Sequence, residues 1–395
     1  MSNLKDTDVI EQQYTEHPYP APISNMREQI DQGYRQGTSP DDIWHQLFPE
    51  KAYRDDLNIL IAGCGTNQAV YHAMRFPNSH HYAIDVSDES LNHVKDMIKK
   101  YDIRNLEIEK KDIVDLPHKS EFDYVISTGV IHHTEDPQKS LSKLVETTKD
   151  DGALYIMVYA IYLRVGVYFM QDAFRYLDLK STTEDIGIAK RLINLSLQNH
   201  YVHNYIKEAE TSSGTKDLTF DAGFVDTFFN ARDVAYDIFE LKELIGNAGA
   251  YFQSWADNSG FYRKVFNFSG VESLNQIFNN LDPWELADFT QKVWPNMGKF
   301  SFALRKDKKH EHRFFNIAEV LPTTYAYRYR LTDVEKPNLS SRDGGSIGIN
   351  RLKVKLDIIE RIIWDNLNNK IEDVLNVSNK LLSEHGIDTE LYFEE

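Results

Sequence analysis

The sequence is poor in cysteine and in long apolar runs, and each absence argues against a class of protein. Cys64 is the single cysteine in 395 residues, so the chain can form no internal disulfide, which favours a reducing compartment. No stretch of about 18 apolar residues occurs, and the acidic N-terminus lacks the apolar core of a signal peptide. We therefore expect a cytoplasmic protein that does not bind a membrane.

Positive charge is also scarce. The chain has 44 Lys and Arg residues against 61 Asp and Glu residues, which gives a net charge of −17. Contacts to nucleic-acid phosphates need a basic surface, so the balance argues against a nucleic-acid partner. The 41% hydrophobic and 27% charged residues are those of an ordinary globular protein, and the length allows a core with large insertions.

An apolar run ends in a glycine turn at residues 57–66, LNILIAGCGT. The run predicts a strand buried on both faces, and Gly63 and Gly65 let the main chain approach a ligand closely. The N–H groups of the following helix can donate to polar groups of that ligand. Asp85 follows a second apolar run, 20 positions after Gly65, where a doubly wound fold places an acid on a ribose hydroxyl pair.

Strand and helix patterns alternate from residue 57 to residue 160. This alternation predicts a parallel sheet with helices on both faces. Asp112 follows the third predicted strand, and the segment 122–137, FDYVISTGVIHHTEDP, contains the fourth strand and a loop with two histidines. Ligands of such sheets bind at the carboxyl ends of the strands, where these residues lie.

These segments, IAGCGT, YAIDVS, KKDIVDLP and FDYVISTGVIHHTEDP, together resemble the class I S-adenosylmethionine-dependent methyltransferases. The resemblance implies an α/β fold with a doubly wound, mostly parallel seven-stranded sheet, in which residues 299–306 form the antiparallel edge strand. It also implies S-adenosylmethionine as the cofactor, S-adenosylhomocysteine as its product, and these cofactor-binding residues: Gly63, Cys64, Gly65, Asn67, Asp85, Val86, Asp112, Ile113, Ser127, Thr128, Gly129 and His132. Asn67 stands where a third glycine is common in the family, and because Asn tolerates positive φ we expect weaker rather than lost binding.

Methyl transfer needs mainly positioning, with a general base only where the acceptor is protonated. His132 and His133 are the candidates for such a base, and packing or hydrogen bonding is the alternative role. Arg232 is a further catalytic candidate because a guanidinium can clamp a carboxylate through two hydrogen bonds, and its alternative is a solvated position at a helix start. We expect no metal site, since adjacent histidines point apart and no ligand cluster accompanies them.

Residues 161–233 interrupt the core pattern with helical periodicity, which predicts a lid. An N-terminal segment, EHPYPAP at 16–22, breaks the helical pattern and could fold over a ligand, although its tyrosines could also pack structurally. The resemblance and these patterns give the expected substrate-binding residues: Tyr14, Tyr19, Tyr168, Asp226, Phe228 and Arg232. The next core helix is predicted to begin near Asp233.

Three regions are expected along the chain. Residues 1–52 form a helical arm, residues 53–306 form the cofactor-binding domain, and residues 307–395 form an α+β appendage. The appendage has a loop at 340–349 and a helical apolar stripe at Leu356, Ile359, Ile362 and Ile363, which must pack on the core or on a second copy in a homodimer.

The expected function is methylation of a small-molecule acceptor on oxygen or nitrogen. The acidic chain and the tyrosine-rich, lidded pocket favour a small molecule. A protein side chain is the alternative acceptor, and a scaffold that binds S-adenosylmethionine without catalysis is the alternative outside the enzymes.

Overall fold

The structure is a computed structural model. It describes residues 6–212, 217–256, 277, 280–293, 295 and 298–308, and short stretches at 325–326, 333–335, 343–349, 352–357, 369–370, 376–377, 380–381 and 383. Clustering of contacts divides the chain into two units: residues 1–36 with 55–312, and residues 37–54 with 313–395. This division groups the end of the expected N-terminal arm with the appendage.

The first unit contains a sheet of eight strands within its described residues. Their order is β3-β2-β1-β4-β5-β8-β7, and β6 pairs with the end of β5. The strands are β1 (Asn58–Ala62), β2 (His80–Asp85), β3 (Leu106–Lys110), β4 (Phe122–Thr128), β5 (Thr148–Ala160), β6 (Ala235–Tyr236), β7 (Tyr251–Trp255) and β8 (Lys299–Arg305). The first five strands pair in parallel, whereas β8 runs antiparallel to both of its neighbours. The expected doubly wound, mostly parallel sheet is confirmed.

The prediction that residues 299–306 form an edge strand is wrong. β8 lies between β5 and β7, and every residue from Phe300 to Arg305 is buried. An edge strand would leave one row of backbone groups unpaired, whereas both rows of β8 are hydrogen-bonded. Phe300 and Phe302 belong to the core, together with Trp255 and Leu304.

Helices begin where capping residues end the preceding loops. Ser87 accepts the Ser90 N–H, and Asp237 and Glu240 form a reciprocal capping box. The helices are α1 (Asp6–Glu16), α2 (Met26–Asp31), α3 (Pro40–Leu47), α4 (Gln68–Arg75), α5 (Asp88–Tyr101), α6 (Pro137–Thr147), α7 (Ile161–Tyr176), α8 (Thr183–Leu195), α9 (Tyr201–Ser212), α10 (Asp221–Phe228), α11 (Ile238–Asn247) and α12 (Pro283–Val293). Among the described helices, none is long and apolar enough to cross a membrane.

The region predicted as a lid is a helical layer with its own core, and we call α7 to α10 the lid helices. Helices α7 to α10 pack around a cluster that includes Val167, Phe174, Ile186, Val202 and Phe228. At Gly166 the backbone of α9 approaches so closely that an added Cβ would lie 2.1 Å from the Val202 nitrogen. The lid helices are therefore fitted to one another.

The second unit contains α3 and short strands among its described residues. The strands are β9 (Tyr325–Ala326), β10 (Asp333–Glu335), β11 (Asp343–Ile349), β12 (Leu352–Asp357) and β13 (Asn369–Lys370). β11 pairs with β10 and β12, and β9 pairs with β13. The loop expected at 340–349 is thus largely a strand, and Leu356 lies on β12 rather than on a helix. Ile359, Ile362 and Ile363 lie outside the described residues.

Two buried histidines make stability depend on pH. Burial lowers the pKa of His81 to about 4 and holds the pKa of His72 well below its ordinary value. Unfolding returns both rings to water, where they bind protons near pH 6.5. The unfolded state therefore binds more protons between about pH 6.5 and 4, so stability falls as pH falls through this range, by about 1.4 kcal/mol per pH unit for each histidine.

Urea denaturation of the wild-type chain and of His72→Phe at several pH values checks this expectation. His72 packs against Tyr71, Phe76 and His81, so Phe keeps the aromatic contact and removes the titrating group. Between pH 6.5 and 5, the free energy of unfolding of the variant should fall less steeply with pH than that of the wild type, by about 1.4 kcal/mol per pH unit. Equal slopes for both proteins would contradict the assignment.

Candidate active site

The glycine turn joins β1 to α4 at the carboxyl edge of the sheet. The Gly63 and Cys64 N–H groups donate to the Ile84 carbonyl at 2.9 and 3.0 Å, which fixes the turn to β2. Gly63 and Gly65 have φ of +75° and +52°, the left-handed region that glycine adopts without a steric penalty. Cys64 is buried, and burial raises the pKa of its thiol well above the ordinary value, so the thiol stays protonated.

Asp85 connects this turn to the end of β2. One carboxylate oxygen accepts the Gly65 N–H at 2.8 Å, and the other accepts the Ser87 N–H at 2.9 Å. Burial raises the pKa of Asp85, whereas these backbone donors oppose the rise. Each carboxylate oxygen has a second lone pair, so Asp85 can still accept hydroxyl groups. Val86 is half-buried beside it.

Asp112 and Ile113 lie past the end of β3. The Asp112 carboxylate accepts the Val114 N–H at 3.1 Å and caps a short 3-10 turn, Ile113–Asp115. Ile113 is buried in the core. A carboxylate in this place has remaining lone pairs for a ligand amino group.

The end of β4 and the loop after it contain buried polar atoms with no protein partner among the described residues. The Ser127 hydroxyl and both ring nitrogens of His132 are buried and make no hydrogen bond. Thr128 donates to Gln68 at 3.4 Å, and Gly129 has a φ of +75°. Buried polar groups in proteins are nearly always satisfied, so unsatisfied ones at this edge fit a site that binds a polar ligand.

The two histidines differ in their surroundings. Burial and the neighbouring His133 lower the pKa of His132 well below its ordinary value, so its ring is neutral. The His132 ring packs on the Tyr159 ring, with centroids 3.9 Å apart. His133 Nδ1 donates to the Arg232 carbonyl at 2.5 Å, and the Arg232 guanidinium lies 3.5 Å from the His133 carbonyl. The structure thus brings together all three residues expected to be catalytic, and the contacts of His133 and Arg232 hold two loops together.

The N-terminal segment lies over the glycine turn. Thr66 donates to the Pro20 carbonyl at 2.7 Å, and Tyr19 has its carbonyl oxygen 3.1 Å from the position of a Cβ on Gly65. The Asn67 side chain donates to the Ala21 carbonyl at 2.9 Å and accepts the Ile23 N–H at 2.8 Å. The Tyr19 ring stacks on Phe220 in the lid.

These contacts correct the prediction made for Asn67. Its φ is −120°, so the position does not require the left-handed backbone that a glycine would supply. The argument that Asn67 weakens binding through its backbone is therefore wrong. Asn67 instead pairs with the backbone of residues 21 and 23, a contact that glycine could not make.

A carboxylate and two phenols meet beside this segment. Tyr14 donates to Asp226 at 2.7 Å, Tyr159 donates to the other Asp226 oxygen at 3.1 Å, and the Asn230 amide lies 3.4 Å from the Tyr14 hydroxyl. Burial, then the Asp226 charge, raises the pKa of Tyr14 well above its ordinary value, so the phenol keeps its proton. We call Tyr14, Tyr159, Asp226 and Asn230 the Asp226 cluster.

The lid helix α7 takes part in a buried ion pair that was not predicted. Arg164 Nη2 lies 2.5 Å from Asp233, and its guanidinium lies 3.7 Å from the centre of the Tyr159 ring. Asp233 is therefore a partner of the lid rather than a helix start, and α11 begins at Ile238. The Tyr168 hydroxyl contacts both Arg164 and Asp233 at 3.3 Å. The polar positions 164, 168 and 171 recur at helical spacing on α7, and this stripe was the available signal.

Phe228 lies in a different environment from the other expected substrate contacts. It is 2% exposed and packs against Phe174 and Phe224 in the lid core. Its side chain therefore stabilises the lid, and the structure does not bring it to the Asp226 cluster. Among the described residues, no group of three metal-ligating side chains occurs.

Comparisons with known proteins agree with this geometry. A family model described as a methyltransferase domain matches residues 54–210. An uncharacterized protein from Synechococcus sp. is 25% identical over 254 residues, which cover 62% of this chain and 59% of that protein. This chain thus spans less than two thirds of that relative. A probable (S)-tetrahydroprotoberberine N-methyltransferase 2 from Papaver bracteatum is 26% identical over 114 residues, 28% of this chain and 32% of that protein.

The fold is also found among solved structures. PKMT2 from Rickettsia typhi in complex with AdoHcy superposes with a TM-score of 0.60 at 16% identity, covering 87% of this chain and 70% of that one. This likeness shows the fold. The methyltransferase domain matched at residues 54–210, the glycine turn, the acids at the ends of β2 and β3 and this fold together support a class I S-adenosylmethionine-dependent methyltransferase.

Proposed function

We propose that this chain transfers a methyl group from S-adenosylmethionine to the oxygen or nitrogen of a small-molecule acceptor. The observation that carries the proposal is the pairing of Asp85 with the glycine turn, through the 2.8 Å hydrogen bond from the Gly65 N–H. This contact aligns a carboxylate with the turn at the carboxyl edge, where doubly wound sheets bind their ligands.

The proposed cofactor site divides among the strand ends. The turn at residues 63–65 would hold the methionine part, Asp85 the ribose and Asp112 the adenine amino group. The unsatisfied Ser127 hydroxyl, with Gly129, would face the polar end of the ligand. When bound, S-adenosylmethionine supplies an electrophilic methyl group on a positively charged sulfur.

The chain's own residues would position the acceptor and exclude water. The N-terminal segment is fixed across the turn by Thr66 and Asn67, and the lid is joined to the sheet through Arg164 and Tyr159. In the Asp226 cluster the lid helix α10 meets α1, which precedes the N-terminal segment, since α10 contributes Asp226 and α1 contributes Tyr14. A site covered from both sides supports a small acceptor over an extended one.

Calorimetric titration with S-adenosylmethionine and with S-adenosylhomocysteine tests the proposal. We expect micromolar binding of both to the wild-type chain. Asp85→Ala should weaken both by about 1–3 kcal/mol, or roughly 5- to 150-fold, since two ribose hydroxyls lose their acceptor.

Asp123→Ala is the matched control. Asp123 also accepts a backbone N–H, that of Asn58 at 2.9 Å, but it lies at the start of β4 and therefore at the opposite edge of the sheet. Its replacement should leave cofactor affinity unchanged. Wild-type affinity in Asp85→Ala would refute the ribose assignment, and absence of binding to the wild-type chain would contradict the proposed cofactor.

A further inference from the structure

Asp226 is a buried carboxylate whose negative charge no cation of the described residues offsets. It is 5% exposed, and its hydrogen-bond donors are the phenols of Tyr14 and Tyr159. Arg164, which lies against the far side of Tyr159, is paired with Asp233 instead. Phenols supply hydrogen bonds but no positive charge, so within the described part of the chain no cation compensates the charge of Asp226.

Three other poorly exposed aspartates of the first unit have a cationic partner, whereas Asp85 accepts only backbone N–H groups. Asp233 pairs with Arg164 at 2.5 Å, Asp288 with Lys292 at 2.6 Å, and Asp123 with Lys149 at 2.9 Å. A buried charge without an opposite charge costs several kcal/mol, which is why such groups are normally paired. Asp226 and Asp85 both lack a cationic partner among the described residues, and both lie towards the edge of the sheet where a ligand is expected.

Asp226 lies near the proposed cofactor site, where a methyl acceptor would bind. Tyr14 is held near the proposed ribose site, because the Ser87 hydroxyl donates to its carbonyl at 3.3 Å. Tyr159 ends β5 and packs on His132 in the loop after β4. Asp226 is contributed by the lid helix α10 and reaches both tyrosines. It thus lies between the proposed cofactor site and the lid.

We propose that Asp226 recognises a basic amino group, so that the methyl acceptor is an amine. This inference rests on the proposed function and narrows it to methylation on nitrogen. The carboxylate supplies the missing opposite charge for an ammonium group. Lone pairs that the two phenols leave free accept the N–H groups.

The same arrangement suits the chemistry of nitrogen. The amine gives one proton to solvent and then uses its lone pair to form the N–C bond, while the electron pair of the broken S–C bond stays on sulfur. Positive charge therefore moves from sulfur to nitrogen, and a fixed carboxylate beside the nitrogen stabilises that charge as it develops. A hydroxyl acceptor gains no such lasting charge.

The affinities of two matched probes, measured separately, test this inference without turnover. Benzylamine, which is cationic at pH 7, and benzyl alcohol differ in one group, and each is titrated into the chain saturated with S-adenosylhomocysteine. We expect the amine to bind at least tenfold more tightly than the alcohol. Asp226→Asn should reduce this preference below twofold while S-adenosylhomocysteine affinity stays within twofold of wild type.

Asp288→Asn is the matched control for charge. Like Asp226, Asp288 is a buried aspartate, 8% exposed, that accepts a tyrosine hydroxyl, here from Tyr162 at 2.6 Å. Unlike Asp226, it forms an ion pair with Lys292. This variant should keep the tenfold preference.

Several results would overturn the inference. The first is equal affinity of the wild-type chain for the two probes, and the second is that neither probe binds detectably at millimolar concentration. The third is a loss of S-adenosylhomocysteine affinity in a folded Asp226→Asn protein, which would assign the carboxylate to the cofactor. The wild-type comparison needs no variant, so misfolding of Asp226→Asn does not remove the test. Failure of the wild-type chain to bind S-adenosylhomocysteine would instead contradict the proposed function.

Discussion

Gly166→Ala should destabilise the lid by about 3 kcal/mol or more. The added Cβ would lie 2.1 Å from the Val202 nitrogen, 2.3 Å from the Tyr201 carbonyl carbon and 2.6 Å from the Val202 Cα. These neighbours are backbone atoms, so no side-chain rotation relieves the overlap, and α7 and α9 must move apart. Hydrogen exchange should show faster opening of α7 to α10, and thermal unfolding should begin at a lower temperature.

Gly187→Ala provides the comparison on α8 of the same lid. No atom lies within 4 Å of the Cβ position at Gly187, so alanine adds helix propensity without overlap and should stabilise by about 0.5–1 kcal/mol. Opposite signs for the two glycine substitutions are therefore expected. A Gly166→Ala protein with wild-type exchange in the lid would show that α9 does not pack on α7 as described.

Gly63→Ala should be the second most damaging change. The new Cβ would lie 2.2 Å from Val130 Cγ2 and 2.8 Å from its Cγ1, and the φ of +75° adds a backbone cost of about 1–2 kcal/mol. Because Val130 and the turn both border the proposed methionine site, we expect loss of stability by about 3 kcal/mol together with loss of measurable S-adenosylhomocysteine binding.

Val130→Ala separates the two costs in a double-mutant cycle. It removes both Cγ atoms, so in the double variant the nearest contact becomes the 3.0 Å approach to the Val130 Cβ. The double variant should be more stable than the sum of the single changes by about 1–3 kcal/mol, with the backbone cost remaining. Additive effects would mean that the Val130 side chain does not restrict Gly63.

Local patterns were enough to predict the cofactor half of the fold. An apolar run that ends at Gly63 marks β1, because a buried parallel strand is apolar throughout, whereas β2 and β3 mix polar and apolar residues before Asp85 and Asp112. The pairing of Asp85 with Gly65 follows from that order, since the two strands are neighbours in the sheet.

The acceptor half depends on contacts distant in sequence, which no local pattern encodes. Tyr14 and Asp226 were each predicted as substrate contacts, but their hydrogen bond joins residues 212 positions apart. Arg164 was missed because a lone arginine on an amphipathic helix reads as solvated, and its burial depends on Asp233, which was assigned to another helix. The alternation of residue types in β8 was interpreted as an edge strand because this pattern does not show that β7 pairs with the second side of β8.

The interior position of β8 sets an order in which the chain can complete its sheet. β5 and β7 leave the ribosome before residues 299–305, so until that segment is synthesised both strands present an open row of backbone donors and acceptors. A nascent chain arrested before Lys299 would therefore have a free edge on β5 and no partner for β7 next to an apolar core. The seven-residue strand β8 joins these two strands into one continuous sheet, so C-terminal truncation short of Arg305 should cause aggregation rather than a smaller folded domain.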